Sequence, residues 1–340
     1  GIDATAPAVT IEYLASNDIS PELTGSVDDP SALIDVTVDG ATYAATNNGD
    51  GSWTLAQGTI ADLVEGSYTT QAVATDSVGN ADTATATLDI ELTAPIVTID
   101  YLSSNDVSPE LTGSVDDPSA LIDVTVDGTT YAATNNGDGS WVLAQGTIAD
   151  LIEGSYTTQA VAIDSVGNAD TATATLDIEL TAPIVTIDYL ASNDISPELT
   201  GSVDDPSASI DVTVDGATYA ATNNGDGSWV LAQGTIADLI EGSYSTQAVA
   251  TDSVGNADTA FSTIDIELTA PVVTINDLVS NQTSPELTGT VDDPTASIDV
   301  AVDGSSYTAL NNGDGSWVLA QSTITDLIDG TYTIHATATD

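Results

Sequence analysis

The sequence has 340 residues, of which 53 are Asp or Glu and one is His, with no Lys or Arg, so its formal net charge is −53 at pH 7. Because phosphate groups are neutralised by Lys and Arg, this composition excludes nucleic-acid binding and attachment to an anionic membrane surface. No apolar run approaches the ~20 residues of a membrane span, so direct membrane insertion is not expected, and the absence of Cys excludes disulfides and thiolate metal sites.

The hydrophobic content indicates a folded chain rather than a disordered acidic one. Hydrophobic residues make up 41% of the sequence, which has 11 Tyr and 4 Trp. Disorder requires low hydrophobicity together with high charge, and only the second condition holds here. Because the sequence has no Met, we expect it to be a segment of a longer chain.

One unit of 88 residues repeats along the chain. The string Thr-Ala-Pro begins at Thr5, Thr93, Thr181 and Thr269, and residues 5–92 differ from residues 93–180 at eight positions. A period of this length is the size of a small domain rather than of a solenoid repeat. The sequence therefore predicts four domains, which we call the first to fourth repeats: residues 1–92, 93–180, 181–268 and 269–340. We expect the fourth to stop about sixteen residues short, before its last strand.

Each repeat shows the two-residue alternation of apolar and polar side chains that is typical of β-strands. In chain order, the strands predicted for the first repeat are residues 9–13, 23–27, 34–38, 43–45, 53–55, 68–74 and 84–90. The pair Asp39-Gly40 predicts a tight turn, and residues 47–51 predict a hairpin loop rich in Asn and Gly. Seven short strands in each repeat predict an all-β protein of tandem immunoglobulin-like β-sandwich domains, arranged as an extended rod.

Several motifs of the repeat resemble those of the bacterial immunoglobulin-like (BIg) extender domains of giant RTX-type surface adhesins. In the first repeat they are Thr-Ala-Pro-x-Val-Thr-Ile from Thr5, Pro-Glu-Leu-Thr-Gly-Ser-Val from Pro21, Gly-Asp-Gly-Ser-Trp ending at Trp53, and Asp-Ser-Val-Gly-Asn from Asp76. The resemblance covers every repeat from end to end. It implies a stalk on the bacterial cell surface whose domain junctions bind Ca2+. The glycine-rich nonapeptides of an RTX secretion region are absent from this sequence.

Acidic loops are expected to gather at both ends of such a sandwich, because alternate loops lie at opposite ends. Head-to-tail stacking then places the leading loops of one repeat beside the trailing acids of the preceding repeat, such as Asp62 and Glu65. Calcium takes six to eight oxygen ligands, mainly from carboxylates and carbonyls. The candidate ligands are the acid of each linker, the Asp-Asp pair of each leading loop, and the Asp and Asn of the turn before the last strand. They are Asp3, Asp28, Asp29, Asp76, Asn80, Glu91, Asp116, Asp117, Asp164, Asn168, Glu179, Asp204, Asp205, Asp252, Asn256, Glu267, Asp292, Asp293 and Asp340.

A second interpretation competes with metal binding, since Asp and Asn are also turn residues. At the hairpin loop 47–51 we favour a turn, and at the Asp28-Asp29 pair with Asp76 we favour calcium, because no basic partner exists. Trp53 and its three equivalents share a face with leucines and are expected in the core rather than in a carbohydrate-binding surface. His335 is out of phase with its inward neighbours, so we expect it to be exposed and not a ligand or base.

The sequence favours a structural function over an enzymatic one. It contains no Ser-His-Asp arrangement, phosphate-binding loop or zinc motif. Paired carboxylates serve glycosidases, but the loops of an 88-residue domain are too short to build a cleft. We expect a calcium-stabilised extender whose partners are the neighbouring repeats of the same chain. The alternatives are a self-associating or glycan-binding adhesive module, and a building block of an extracellular matrix filament.

Overall fold

The computed structural model describes residues 4–340, and every regular element within this range is a β-strand. The candidate ligand Asp3 lies outside the described residues. No helix long and apolar enough to cross a bilayer occurs in residues 4–340.

The first three repeats contribute seven strands each, and the fourth contributes five. In the first repeat they are β1 (Leu14–Ser16), β2 (Leu23–Ser26), β3 (Leu33–Val38), β4 (Ala41–Asn47), β5 (Ser52–Leu55), β6 (Gly66–Thr75) and β7 (Ala81–Ile90). In the second they are β8 (Leu102–Ser104), β9 (Leu111–Ser114), β10 (Leu121–Val126), β11 (Thr129–Asn135), β12 (Ser140–Leu143), β13 (Gly154–Ile163) and β14 (Ala169–Ile178). In the third they are β15 (Leu190–Ser192), β16 (Leu199–Ser202), β17 (Ser209–Val214), β18 (Ala217–Asn223), β19 (Ser228–Leu231), β20 (Gly242–Thr251) and β21 (Ala257–Ile266). In the fourth they are β22 (Leu287–Thr290), β23 (Ser297–Val302), β24 (Ser305–Asn311), β25 (Ser316–Leu319) and β26 (Ile334–Thr339).

The strands of each of the first three repeats pair into one strongly curved sheet. In the first repeat the order is β1-β7-β6-β3-β4-β5-β2, and the other two repeat it. β1 pairs with β7 in parallel, whereas the remaining pairs are antiparallel. β4 belongs to both faces of the sandwich, because residues 41–45 pair with β3 and residues 46–47 with β5. The prediction of tandem immunoglobulin-like β-sandwiches is confirmed.

The first predicted strand, residues 9–13, is wrong in its extent. Val9 forms only an isolated bridge with Val27, and the N–H of Thr10 donates to the carbonyl of Ser26 at 2.9 Å. The chain then changes sheets at Tyr13, which is 63% exposed, and β1 begins at Leu14. Because the backbone changes its pairing partner there, one continuous strand does not form, although the alternation of side chains continues past this point.

A tryptophan lies in each of the four apolar cores. Trp53, Trp141, Trp229 and Trp317 are at most 1% exposed, which confirms their predicted core position. The Nε1–H of Trp53 donates to the carbonyl of Thr10 at 2.9 Å, and the same bond recurs in the other repeats. Each indole therefore fills the core, satisfies its polar atom and fixes residues 9–12 against the second face. His335 is exposed, as predicted.

Two turns follow the sequence signals closely. Asp39 and Gly40 have φ of 49° and 77°, so both central residues of the β3–β4 turn lie in the left-handed region, as a two-residue hairpin requires. The hydroxyl of Tyr68 donates to the carbonyl of Val64 at 2.9 Å. This bond closes the corner before β6 in the manner of the tyrosine corner of immunoglobulin folds.

Internal contacts divide the chain into two compact units. Unit 1 comprises residues 1–181 with residues 254–256, and unit 2 comprises residues 182–253 with residues 257–340. Unit 1 holds the first two sheets, and unit 2 holds the other two. The turn residues 254–256, between β20 and β21, belong to unit 1. The boundaries of the four domains, and the extended rod, stay predictions.

In each repeat, the glycine that lies opposite the tryptophan on the paired strand leaves room for the indole. A Cβ added at Gly289 would overlap the carbonyl oxygen of Thr274 and lie 2.5 Å from Nε1 of Trp317. Neither neighbour can withdraw, because the two are hydrogen-bonded to each other at 2.8 Å. Gly113 and Trp141 repeat the arrangement in the second repeat.

We expect Gly289→Ala to destabilise the fourth repeat by about 1–3 kcal/mol, the usual cost of overpacking a core. The matched control is Gly330→Ala in the same repeat, where the nearest atom to an added Cβ is 3.9 Å away. Hydrogen exchange of β22 and β25 should accelerate in the first variant only. Equal rates in both variants would show that the close approach of glycine and tryptophan is unimportant.

Candidate metal centre

The linker between the first and second repeats is held by residues of both. Its first residue, Glu91, donates its N–H to the carbonyl of Ser16 at 3.0 Å. The carbonyl of Glu91 accepts a bond from Nδ2 of Asn168 at 3.0 Å. Both repeats belong to unit 1, and within it the turn before the last strand of the second repeat lies against the linker.

The turn itself is built around the carboxylate of Asp164. Its Oδ1 accepts the backbone N–H groups of Val166, Gly167 and Asn168 at 2.7–3.0 Å. Its Oδ2 accepts Nδ2 of Asn168 at 2.8 Å. Burial, which leaves Asp164 only 7% exposed, raises the pKa of this carboxyl, but the hydrogen bonds from Asn168 and the backbone outweigh it and hold the pKa below its usual value.

The corresponding turn of the first repeat shows what the linker contact adds. Asp76 accepts the N–H groups of Val78 and Asn80 at 2.9 and 2.8 Å, and Nδ2 of Asn80 at 2.7 Å. These bonds, the one from the Asn80 side chain first, lower the pKa of Asp76. Val78 is 64% exposed, however, whereas its equivalent Val166 is half-buried. The first repeat therefore shields the turn of the second.

Acidic side chains of both repeats converge on Glu91. Partial desolvation at the linker raises the pKa of the Glu91 carboxyl, and repulsion from Asp164, Asp117, Glu65 and Asp89 raises it further, in that order. Since the chain has no Lys or Arg, no fixed positive charge compensates this repulsion. The linker is thus the place where the structure brings several predicted ligands, Glu91, Asp117, Asp164 and Asn168, into one electrostatic neighbourhood.

Glu65 has a role that the choice of candidate ligands missed. Its Oε2 accepts the hydroxyl of Thr93 at 2.5 Å and the N–H of Leu92 at 3.4 Å, which ties the linker to the corner before β6. Glu153 and Glu241 bind the hydroxyls of Thr181 and Thr269 in the same way. A usable signal was present, because each of these Glu residues stands before Gly-Ser-Tyr and each Thr opens a repeat.

The Asp-Asp pairs of the leading loops are occupied by local hydrogen bonds. Oδ1 of Asp116 accepts the N–H of Ile96 at 2.6 Å, and Oδ1 of Asp117 accepts the N–H and hydroxyl of Ser119 at 2.8 and 2.7 Å. The same bonds form at the equivalent pairs of the other repeats, Asp28 and Asp29, Asp204 and Asp205, and Asp292 and Asp293. The first Asp therefore anchors the start of the repeat, and the second stabilises the Asp-Pro turn.

The remaining predicted ligands belong to the second and third linkers and to the turns of the third and fourth repeats. Asn256 donates Nδ2 to the carbonyl of Glu179 at 2.9 Å, and both residues belong to unit 1. Asp252 occupies the turn position equivalent to Asp164. Glu267 and Asp340 lie in unit 2, and Asp340 is exposed. In the hairpin loop 47–51, Oδ1 of Asp50 accepts the N–H and hydroxyl of Ser52, as a turn requires, and these bonds lower its pKa.

The donor chemistry at the linker fits a hard cation, since it consists of carboxylate and carbonyl oxygens. The candidate ligands do not lie close enough together to form a complete metal site. Residues 4–340 contain no group of three or more acidic or histidine side chains placed to hold a metal ion. Both carboxylate oxygens of Asp164 already accept hydrogen bonds within the turn. Glu91, whose carboxylate is repelled by its neighbours, is the candidate ligand with most to gain from a cation.

Comparison with known proteins identifies the type of domain. The model of the bacterial Ig-like domain family matches residues 14–92, 102–180 and 190–268. No curated protein matches the chain significantly by sequence.

Solved structures of tandem adhesin repeats are also similar to this chain. One is a tetra-tandem repeat from the extending region of a large adhesion protein, with 28% identity and a TM-score of 0.38 over 98% of this chain and 95% of that one. A Ca2+-stabilised adhesin with which an Antarctic bacterium binds ice has 18% identity and a TM-score of 0.35 over 99% of both chains. A 1.5-MDa bacterial ice-binding adhesin has 19% identity and a TM-score of 0.33 over 78% of this chain and 100% of that one. Because all three TM-scores are low, the assignment depends on the family match.

We expect the linker to become more stable on mild acidification when divalent cations are absent. Because the pKa of Glu91 is raised in the folded protein, its contribution to stability is full below the unfolded value of about 4.3 and is lost as the pH rises through the folded pKa. Asp164, whose pKa is lowered, opposes this trend only below about 3.9. Calorimetric melting in chelator should therefore show part of the chain gaining stability as the pH falls from 7 towards about 4.3.

Glu91→Gln should abolish that gain and raise the melting temperature at pH 7, because the amide is not repelled by the neighbouring carboxylates. The matched control is Asp123→Asn, on the exposed face of β10. If both variants change the melting profile equally, the effect comes from total charge rather than from the linker.

Proposed function

Since the chain belongs to the bacterial Ig-like domain family, we propose that it is a structural extender of a bacterial cell-surface adhesin, which spaces an adhesive tip from the cell. In this proposal the chain is extracellular, has no enzymatic role, and uses its own neighbouring repeats as its partners. Its four domains are those predicted from the 88-residue period. The function is mechanical: each domain adds length and passes load to the next.

The observation that carries this proposal is the repetition of one complete fold with little variation. Each repeat has its own core centred on a tryptophan, and the candidate ligands of the leading loops bond to their own backbone. No single repeat differs in a way that would mark it as the binding end. The burial of all four tryptophans removes the side chains best suited to stack on a sugar.

Length follows from strand geometry. The longest strands, such as β6 and β7, have ten residues, which span about 33 Å at roughly 3.3 Å per residue. A domain with its loops is then about 40 Å long, and four in line would reach about 160 Å. Only a chain with stiff junctions delivers this reach, because freely jointed domains fold back on themselves.

Calcium supplies the stiffness in this proposal. Glu91, with Asp117, Asp164 and the carbonyl of Glu91 or the amide oxygen of Asn168, would hold the ion at the first linker, and the equivalent residues would do so between the third and fourth repeats, which both belong to unit 2. When bound, the ion provides the positive charge that the chain lacks and links side chains from two repeats. The repulsion that raises the pKa of Glu91 supports this assignment, since a divalent cation would remove it.

We expect removal of calcium to shorten the molecule. At the linker the carboxylates of Asp164, Asp117, Glu65 and Asp89 repel Glu91, and physiological salt screens such repulsion only over about 8 Å, so without a cation the junction is strained by repulsion. Small-angle X-ray scattering of the chain in millimolar calcium should give a larger maximum dimension than in excess chelator. Identical scattering profiles would refute the role of calcium but leave the extender function open.

We further expect Glu91→Gln to remove calcium from one junction while leaving the others intact. The change deletes one ligand charge and nearly preserves the size of the side chain, and no local turn depends on this carboxylate, in contrast to Asp164. Isothermal titration should show fewer bound ions for this variant, with unchanged affinity at the remaining sites. Asp123→Asn, on the exposed face of β10, should bind as the parent does. Equal losses in both variants would mean that calcium is held by diffuse surface charge.

A further inference from the structure

The loop that follows β1 is held in place by its own repeat. We call residues 16–20 of the first repeat the trailing loop. The N–H of Asp18 donates to the hydroxyl oxygen of Ser16 at 3.0 Å, and Oδ1 of Asp18 accepts the N–H of Ser20 at 2.9 Å. Ser20 is buried, and its hydroxyl donates to a backbone carbonyl of the same repeat at 2.6 Å. These bonds fix the backbone on both sides of Asn17.

The turn of the second repeat meets the trailing loop at a residue without a side chain. Nδ2 of Asn17 lies 3.5 Å from the position that a Cβ would occupy on Gly167. One residue further on, Asn168 donates Nδ2 to the carbonyl of Glu91 at 3.0 Å. Asp164 fixes the turn from within by accepting the N–H of Gly167 at 2.7 Å. The glycine therefore allows a side-chain amide of one repeat to approach the backbone of the next.

The junction between the second and third repeats has the same contacts. Nδ2 of Asn105 lies 3.6 Å from the Cβ position of Gly255, and Asn256 donates Nδ2 to the carbonyl of Glu179 at 2.9 Å. Residues 254–256 belong to unit 1 together with Asn105 and Glu179, although the two strands that this turn connects belong to unit 2. The contacts of the turn thus group it with the preceding repeat rather than with the sheet that carries it.

We propose that the turn 164–168 is a docking element for the trailing loop of the preceding repeat, and that Asn17 is the positioning residue of this contact. Both surfaces are ordered by hydrogen bonds inside their own repeats before they meet, so docking costs little conformational entropy. The contact consists of amide groups, a backbone carbonyl and a glycine, and it therefore needs no cation. Docking determines the orientation in which the repeats meet, whereas a cation would offset the repulsion around Glu91.

The simpler alternative is that the linker only tethers the two repeats. A tether would bring the turn near the trailing loop without holding it there. Burial argues against a tether alone. The turn sequence Asp-Ser-Val-Gly-Asn is identical in the first three repeats, yet Val78 is 64% exposed while Val166 and Val254 are half-buried. The two valines that lose exposure are those whose turns contact a preceding repeat.

The test measures the distance between two repeats of the full chain. Because the sequence has no Cys, spin labels can be attached at Thr85→Cys and Thr173→Cys, on the exposed faces of β7 and β14. The sample contains excess chelator and 1 M salt, where the screening length is about 3 Å, so neither calcium nor long-range repulsion determines the result. Pulsed electron paramagnetic resonance should give one narrow distance for the parent chain. Gly167→Asn should lose it, because the new side chain would meet Asn17.

The matched control is Gly79→Asn in the turn of the first repeat. Gly79 and Gly167 have φ of 95° and 96°, so both substitutions impose the same backbone strain. No atom lies within 4 Å of the Cβ position at Gly79, and the control should keep the narrow distance. Adding Asn17→Ala to the Gly167→Asn chain should restore the narrow distance, because the shorter side chain makes room for the new one.

Four results would overturn the proposal. A broad distance distribution in the parent chain would show that the linker is only a tether. An unchanged narrow distance in Gly167→Asn would show that the contact does not hold the repeats. Equal loss in both glycine variants would assign the effect to backbone strain, and failure of Asn17→Ala to restore the distance would exclude Asn17 as the positioning residue. None of these results depends on calcium, which scattering and titration in physiological salt test separately.

Discussion

The constraint on which this structure depends is negative charge without any fixed positive charge to balance it. The chain has 53 acidic residues and no Lys or Arg, so no carboxylate can be stabilised by an ordinary salt bridge. Instead, N–H and O–H groups of the backbone and side chains stabilise the carboxylates by hydrogen bonding. Asp164 collects three backbone N–H groups and a side-chain amide, and Asp116 binds the N–H of Ile96. Charge-assisted bonds of this kind are stronger than neutral ones, and each orders a loop as it forms.

Hydrogen bonds from N–H and O–H groups stabilise the carboxylates well within a repeat and less well between repeats. Inside a sandwich, turns supply N–H groups in abundance, because their backbones are not fully paired. At the linker the turn of the second repeat bonds across to a carbonyl, that of Glu91, while the carboxylates around it repel Glu91. In the proposed function, a cation would therefore act on the joining of domains rather than on the folding of any one of them.

The alternation of side chains predicted the strands, the four cores and the position of Trp53, because a period of two determines which side chains face inward. It could not predict where the chain changes sheets at Tyr13, since both partners of that segment present the same alternating pattern. The contacts of the candidate site were harder to predict from the sequence. Asp82 accepts the N–H of Val9, 73 positions away, and Glu65 binds Thr93 of the next repeat. Such pairs are determined by the topology of the fold. Residue type alone therefore identified Asp116 and Asp117 as candidate ligands but did not reveal their local hydrogen bonds.

The parallel pairing of β1 with β7 has a consequence for mechanical load. In the proposed extender, load would reach the start of β1 through residues 8–12, which also bond to residues 24–28, and would leave the repeat at the end of β7. Because the two strands are parallel, these points lie at opposite ends of the pair, and the strands are pulled past each other. The backbone bonds between residues 14–16 and 88–90 would then have to break together rather than one after another. An antiparallel pair loaded in the same way would open like a zipper, so the only parallel contact in each described seven-stranded sheet is also the one best placed to resist extension.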